Sequence, residues 1–293
     1  LAKKLVRLKD DLTLSIKPSE LQERKIDEKK LQNIISKYEL KSLSQKLNIK
    51  VKKEVIKKNY QIIKNVNELK RVIKQCKSKK IFSFDTETTS LDFNKAELVG
   101  FSISCNENEG FYCPIGHNSP DSVNLPLKEV IDSISELFKD ETITVIGQNF
   151  KYDINVLKKY SIKFKNKVED TMLMSYVLNS SGKHDLETLA IKFLDHKPIT
   201  YEDVAGKGKD QISFADVDIS KATEYACEDS DLTFLLYKKL NSYLLKDKKL
   251  LNIYRDIEIK LMLIITEMEY TGVSIDSDEL KKQSKSLSKR IKK

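Results

Sequence analysis

The hydrophobic positions of this chain change period along its length. Between residues 81 and 115 they fall in short runs bounded by polar or turn residues: "IFSFDTET", "LVGFSISC" and "GFYCPI". Runs of this length, rich in aromatic and β-branched residues, predict strands over 81–88, 98–105 and 110–115. Their close succession predicts an antiparallel meander. Ahead of them, "NYQIIKNVNELKRVIKQCKSKK" predicts a short strand and then a helix opening near Asn67. After them, "LKEVIDSISELFKD" (127–140) puts Val130, Ile131, Ile134, Leu137 and Phe138 on one helical face. "TITVIGQN" predicts another buried strand, with a helix starting after Asn149. From 168 to 245 the pattern is helical. A further helical segment runs to about Glu269 before Gly272 breaks it. At the other end, 28–47 carries Leu31, Ile34, Ile35 and Tyr38 at helical spacing. Strands followed by helices around a mixed sheet predict an α/β fold with helical extensions at both ends.

The 293 residues are enough for one large domain or two smaller ones with ample core. The net charge of +9 is unevenly spread. Residues 1–80 hold 24 Lys and Arg against 9 acids, a net of +15, while the remainder has a net of −6. A basic entry segment ahead of an acidic body suits a polyanion held near a carboxylate site. Only five of the 53 basic residues are Arg, and Lys, Asn and Ile abound throughout. A coding bias accounts for the charge equally well, so charge alone decides nothing. Cys76, Cys105, Cys113 and Cys227 show no CxxC spacing and read as free thiols of a reducing cytoplasm. No apolar run approaches the ~20 residues of a membrane span, and no signal peptide is visible. A cytoplasmic location without membrane contact is expected. The start at Leu1 reads as a piece of a longer protein.

The chemistry concentrates in a few acids. Asp85 and Glu87 are two apart on a strand and share a face at its end. Asn149 and Asp153 are four apart at a helix start, on one side. Tyr225 and Asp229 are likewise four apart, on a stripe continued by Ala222, Leu232 and Leu236. A carboxylate on such a stripe needs a salt bridge, a proton or a metal. Each residue has a plainer explanation taken singly. DxE pairs at strand ends are common, Asn149 alone suits a helix N-cap, Tyr225 suits ordinary core, and Leu91 suits core or turn. Jointly, four carboxylates at the edges of core elements suit Mg²⁺ or Mn²⁺ rather than zinc. They are enough for two ions ~3.5–4 Å apart, the arrangement that serves phosphoryl displacement. A tyrosine hydroxyl one turn before Asp229 is placed to orient an attacking water.

"FDTETTSLD", "GQNFKYD" and "YACEDSD" resemble, in order, the three exonuclease motifs of the DEDD nuclease superfamily. Tyr225 four residues before Asp229 resembles its DEDDy branch. "DTMLMSYVLNSSGKHDLETLA" and "ITYEDVAGKGK" are similar to the proofreading domain of the bacterial DNA polymerase I family, and "IYRDIEIKLMLIITEMEYTGVSID" to the start of its polymerase region. The basic stretches at 1–16 and 28–47 look, more weakly, like the tail of its 5′-nuclease domain. The resemblance implies a ribonuclease H-like sheet flanked by helices. It implies three parts: 1–55, a basic helical segment; 56–252, a 3′–5′ exonuclease domain; and 253–293, the start of a polymerase region. Asp85, Glu87 and Asp229 would hold a first divalent ion, Asp85 and Asp153 a second, and Tyr225 would align the water. Leu91 would wedge against the terminal base, Asn149 would contact the terminal nucleotide, and Lys183 would touch backbone phosphate. Lys183 stands where the family tends to have Arg, which keeps the charge and loses the bidentate fork. Thr89 stands where relatives often have an acid. The implied partner is DNA with a single-stranded or frayed 3′ end, and the implied product a nucleoside monophosphate, made by a monomer that associates with the nucleoid when on DNA. Two rivals stay open: an RNA-processing DEDD exonuclease and a non-catalytic DNA-binding spacer.

Overall fold

The computed structural model describes residues 57–119 and 123–292, with a few isolated positions ahead of 57. The chain divides into two compact units, Leu1–Ile56 and Lys57–Lys293. The helix expected within 28–47 and the basic stretch at 1–16 lie almost wholly outside the described residues. The second unit is built on a six-stranded sheet of β1 (Asn59–Ile62), β2 (Ile81–Thr88), β3 (Leu98–Ser104), β4 (Glu109–Pro114), β5 (Thr144–Gly147) and β6 (Lys167–Asp170), in the order β1-β4-β3-β2-β5-β6. β2, β3 and β4 form the expected antiparallel meander. β5 and β6 join β2's side in parallel, and β1 pairs in parallel with β4. The sheet is therefore mixed.

Around it stand α1 (Val66–Lys79), α2 (Leu127–Phe138), α3 (Lys151–Lys158), α4 (Thr171–Leu178), α5 (Leu186–Leu189), α6 (Tyr201–Ala205), α7 (Ile219–Leu244), α8 (Lys248–Asn252), α9 (Ile259–Thr271) and α10 (Ser277–Ile291). Among the described residues no helix is long and apolar enough to cross a membrane. All four cysteines are buried free thiols.

Strand alternation sorts the two layers. Phe82 and Phe84 of β2, with Phe101, Ile103 and Phe111, pack against the apolar faces of α1, α2 and α3. The other face of β2 carries Ser83, Asp85 and Glu87, and it meets α7. That face is kept small. A Cβ on Gly110 of β4 would sit 2.7 Å from Cys227 Cβ of α7, so only glycine lets the helix come this close. α9 is fastened to α3 by Lys151–Glu269 and Lys158–Glu267, both at 2.5 Å.

Three local expectations are corrected. α1 opens at Asn65, not near Asn67: the Asn65 side chain accepts the Glu68 N–H at 3.0 Å, and Glu68 accepts the Lys64 N–H at 2.8 Å. A reciprocal cap of this kind outweighs the second asparagine. The stretch 168–245 is not wholly helical, because β6 runs from Lys167 to Asp170; four residues are too few to show a period, and the β5 pairing decides their conformation. Asn149 is not an N-cap. α3 starts at Lys151 behind Phe150, without a side-chain cap, while Asn149 sits in the left-handed region at φ 58°. Asparagine tolerates that region better than most residues. The capping is done from across the sheet: Asp170 accepts the Phe150 N–H at 2.8 Å and the Asn149 N–H at 3.4 Å.

Candidate active site

The end of β2 delivers Asp85 and Glu87 side by side toward α7. Midway along α7, Asp229 faces them, and one carboxylate oxygen from each of the three lies within 4.8 Å of the others. Asp153, in the first turn of α3, comes from the opposite layer. Its Oδ1 accepts both the backbone N–H of Thr86 (2.9 Å) and the Thr86 hydroxyl (2.5 Å). Thr86 points away from Asp85 and Glu87 by strand alternation. This is why Asp153 stands beside the trio rather than within it. The β2–β3 register breaks just after Glu87, and Gly100 lies opposite Glu87. The Tyr112 hydroxyl fills the space a Gly100 side chain would need, 2.3 Å from where its Cβ would be.

Among the described residues, no Lys, Arg or His forms an ion pair with any of these four acids. The buried Glu87 Oε1 has no hydrogen-bond partner. Burial pushes the Asp85 carboxyl up to about 7. Glu87 is raised well above the carboxylate range by burial, and then by the charges of Asp85, Asp229 and Asp153. Burial and then Asp85 raise Asp153 against the two Thr86 bonds. Asp229 is raised by burial and Asp85 while the Tyr225 hydrogen bond opposes. Like-charged hard oxygens, one of them orphaned, with no cation paired among them, fit divalent ions well.

Tyr225 sits one turn before Asp229 and is hydrogen-bonded to it. Burial, then Asp229, holds its phenol far above the ordinary tyrosine range. Leu91 lies on the loop between β2 and β3 and is 96% exposed. Asn149 and Lys183 are exposed as well, Lys183 directly after Gly182 at φ 104°. The structure thus brings the four acids and Tyr225 together, and leaves Leu91, Asn149 and Lys183 on the solvent side.

A family model described as 3′–5′ exonuclease matches residues 60–245. The chain belongs to the 3′–5′ exonuclease family of A-type DNA polymerases. This exonuclease is 36% identical over 248 residues to a DNA polymerase I of Rhizobium leguminosarum, a match covering 78% of the chain and 24% of the relative. It is 36% identical over 225 residues to a DNA polymerase I of Pseudomonas aeruginosa, covering 75% and 24%. The chain thus spans about a quarter of the length of these curated relatives. Among solved structures, the POL domain of Pol1 from M. smegmatis in complex with DNA primer-template and dNTP matches with a TM-score of 0.63 at 14% identity, over 79% of this chain and 35% of that one. Brucella melitensis NrnC bound to pGG matches with a TM-score of 0.55 at 19% identity, over 75% and 98%. Escherichia coli RNase D matches with a TM-score of 0.54 at 14% identity, over 72% and 51%. At these identities the likeness speaks to the fold, a ribonuclease H-like mixed sheet with flanking helices.

Two neighbours of the acid cluster escape a reading of the sequence. Thr86, between the two acids of "DTE", is the residue that aims Asp153; the need to satisfy a buried hydroxyl was the available signal. Tyr201 opens α6, with its ring edge-on to Tyr225 at 6.3 Å. The Glu87 charge helps burial to raise its phenol. Only the Thr200–Asp203 capping box announces α6 in the sequence, and nothing in it announces where the ring points.

The raised acids give the metal-free exonuclease a pH dependence. Asp85 titrates near 7 when folded and near ~3.9 when unfolded. Between those values the folded form holds a proton that the unfolded chain has shed, so stability falls as pH rises through this window. In chelator, Asp85→Asn should gain melting temperature over the unsubstituted protein, and the gain should grow from pH 5 to pH 8. A constant or shrinking gain would contradict the assignment.

Proposed function

We propose that this exonuclease hydrolyses the last phosphodiester at a DNA 3′ end and releases nucleoside 5′-monophosphates, using two divalent ions, Mg²⁺ or Mn²⁺, as the proofreading part of a DNA-polymerising protein. The observation that carries this is the convergence of Asp85, Glu87 and Asp229, with Asp153 alongside, without a paired cation. Asp85, Glu87 and Asp229 would hold one ion, and Asp85 with Asp153 the other. Bound there, such ions lower the pKa of an attacking water and offset charge on the phosphate and the leaving oxygen.

The chain's own residues do the positioning. Thr86 fixes Asp153 through two hydrogen bonds to one of its carboxylate oxygens. The Tyr225 phenol stays neutral, so its hydroxyl orients the attacking water as a hydrogen-bonding group and does not act as a phenolate base. Leu91 would press against the terminal base, and the Tyr201 ring, packed beside Tyr225, would flank the site. Asn149, presented by the turn that Asp170 holds, would contact the terminal nucleotide, and Lys183 a backbone phosphate. Most of the rate enhancement comes from this preorganisation and little from covalent work by the protein. In this reading the exonuclease acts as a monomer on a single-stranded or frayed end.

DNA is preferred over RNA because the relatives at 36% identity are DNA polymerases. The metal core itself does not read the 2′-hydroxyl. The test is digestion of 5′-labelled DNA and RNA oligonucleotides of matched sequence in Mg²⁺. The DNA should shorten stepwise from its 3′ end, faster than the RNA. RNA cut at an equal or greater rate would point to RNA processing. No cleavage of either, with no carboxylate-dependent Mn²⁺ binding, would point to a spacer.

A further inference from the structure

One turn of α7 carries three acids, Glu228, Asp229 and Asp231, and only Asp229 faces the site. The other two are 3% and 0% exposed. They lie three apart, on one stripe of the helix turned away from Asp229. Glu228 Oε1 is paired with Lys58, and His196 Nε2 lies 2.9 Å from the same oxygen. Glu228 Oε2 accepts the Ile199 N–H at 2.6 Å. Asp231 Oδ2 accepts the Tyr60 hydroxyl at 2.9 Å, and its Oδ1 the Asn108 N–H at 2.8 Å.

Lys58, the residue just ahead of the edge strand β1, and Tyr60 within it are two apart, and both reach α7. Strand and helix are thus joined by two rungs, Lys58 to Glu228 and Tyr60 to Asp231. Each rung is completed by a backbone N–H from another segment. Between them the Ser83 hydroxyl, two residues before Asp85 on the same face of β2, donates to the Ser230 carbonyl at 2.6 Å. Three residues of α7 around Asp229, namely Glu228, Ser230 and Asp231, are therefore tied to other segments. A helix packed by apolar contacts alone can slide and roll at small cost. Directional bonds on two sides remove both freedoms.

We propose that Glu228 and Asp231 are positioning residues that fix the rotation and height of α7, so that Asp229 is held within ligand distance of Asp85 and Glu87. Burying two carboxylates is not the cheapest route to stability, since apolar residues of similar size often serve as well or better. What the acids add is direction. A small roll of α7 would swing Asp229 away from the β2 pair, and metal affinity would report it before the fold did.

The inference rests on the metal-site reading above, and the experiment separates the two. Mn²⁺ binding to the metal-stripped chain is measured by titration calorimetry, with melting temperature in chelator alongside. The variants are Glu228→Gln, which puts an amide donor against Lys58; Tyr60→Phe, which removes one hydroxyl and keeps the ring; and Asp229→Ala. Glu228→Gln and Tyr60→Phe should each weaken Mn²⁺ binding about 3- to 10-fold, the scale of one lost hydrogen bond. Cleavage by both should recover towards the unsubstituted rate as Mn²⁺ is raised, whereas Asp229→Ala should not recover. Should Glu228→Gln fail to fold, Tyr60→Phe decides alone. Unchanged Mn²⁺ affinity in folded variants, whether or not they melt earlier, overturns the positioning role while leaving the metal site standing. Unchanged affinity in Asp229→Ala overturns both.

Discussion

Asp85→Ala or Asp229→Ala should lower exonuclease activity by at least about 10²–10³-fold, the cost of losing one preorganised electrostatic contact in a catalytic site, while the fold persists. The two acids are ligands by the reading above, and in the metal-free protein they repel each other across less than 4.8 Å. Removing either relieves that repulsion and the burial of a charge. Melting in chelator should therefore occur at or above the temperature of the unsubstituted protein, and the order should reverse once metal is added. Circular dichroism melts with and without Mn²⁺, beside cleavage of a labelled oligonucleotide, give the answer. A variant that unfolds, or one that cuts at a near-normal rate, would show that the acids are structural.

A single-stranded or frayed 3′ end should be degraded about 10–100-fold faster than a blunt duplex end. The terminal nucleotide has to leave its partner before its phosphodiester reaches acids recessed between β2 and α7. Unpairing costs roughly a few kcal/mol, least at a mismatch. In the proposed reaction Leu91, nearly fully exposed on its loop, would press on the separated base. Tyr152 stabilises that loop from below: its hydroxyl lies 2.5 Å from both the Thr88 hydroxyl and the Ser90 carbonyl. Leu91→Ala should therefore slow removal of a paired end more than that of a single strand. Equal rates on the two ends would remove the wedge and, with it, the proofreading reading.

The meander, the apolar face of α2 and the acid pair at the end of β2 were legible in the sequence because each has a local cause. A strand pattern of period two states which side chains share a face. A helix of period 3.6 states which of them are buried. Tyr225 and Asp229 were legible for the same reason, four apart on a stripe that is otherwise apolar. What escaped depends on partners distant in sequence. β6 is a strand because β5 is there to pair with it. Asn149 leaves the helix because Asp170, 21 residues further on, takes the N–H groups of the turn. Thr86 was hidden by alternation itself, since it faces the layer opposite the acids on either side of it and serves Asp153 there.

The glycine at 110 links a strand remote from the acids to the position of α7. A methyl group there would press on the side chain and backbone of Cys227, two residues before Asp229, so any retreat of α7 would move Asp229 with it. Position 110 lies on another strand from Asp85 and Glu87 and touches no substrate in the proposed reaction, yet a single added carbon would be felt at the reacting phosphate. Gly110→Ala should therefore lower cleavage and melting temperature together, because the added methyl meets the α7 backbone as well as the Cys227 side chain.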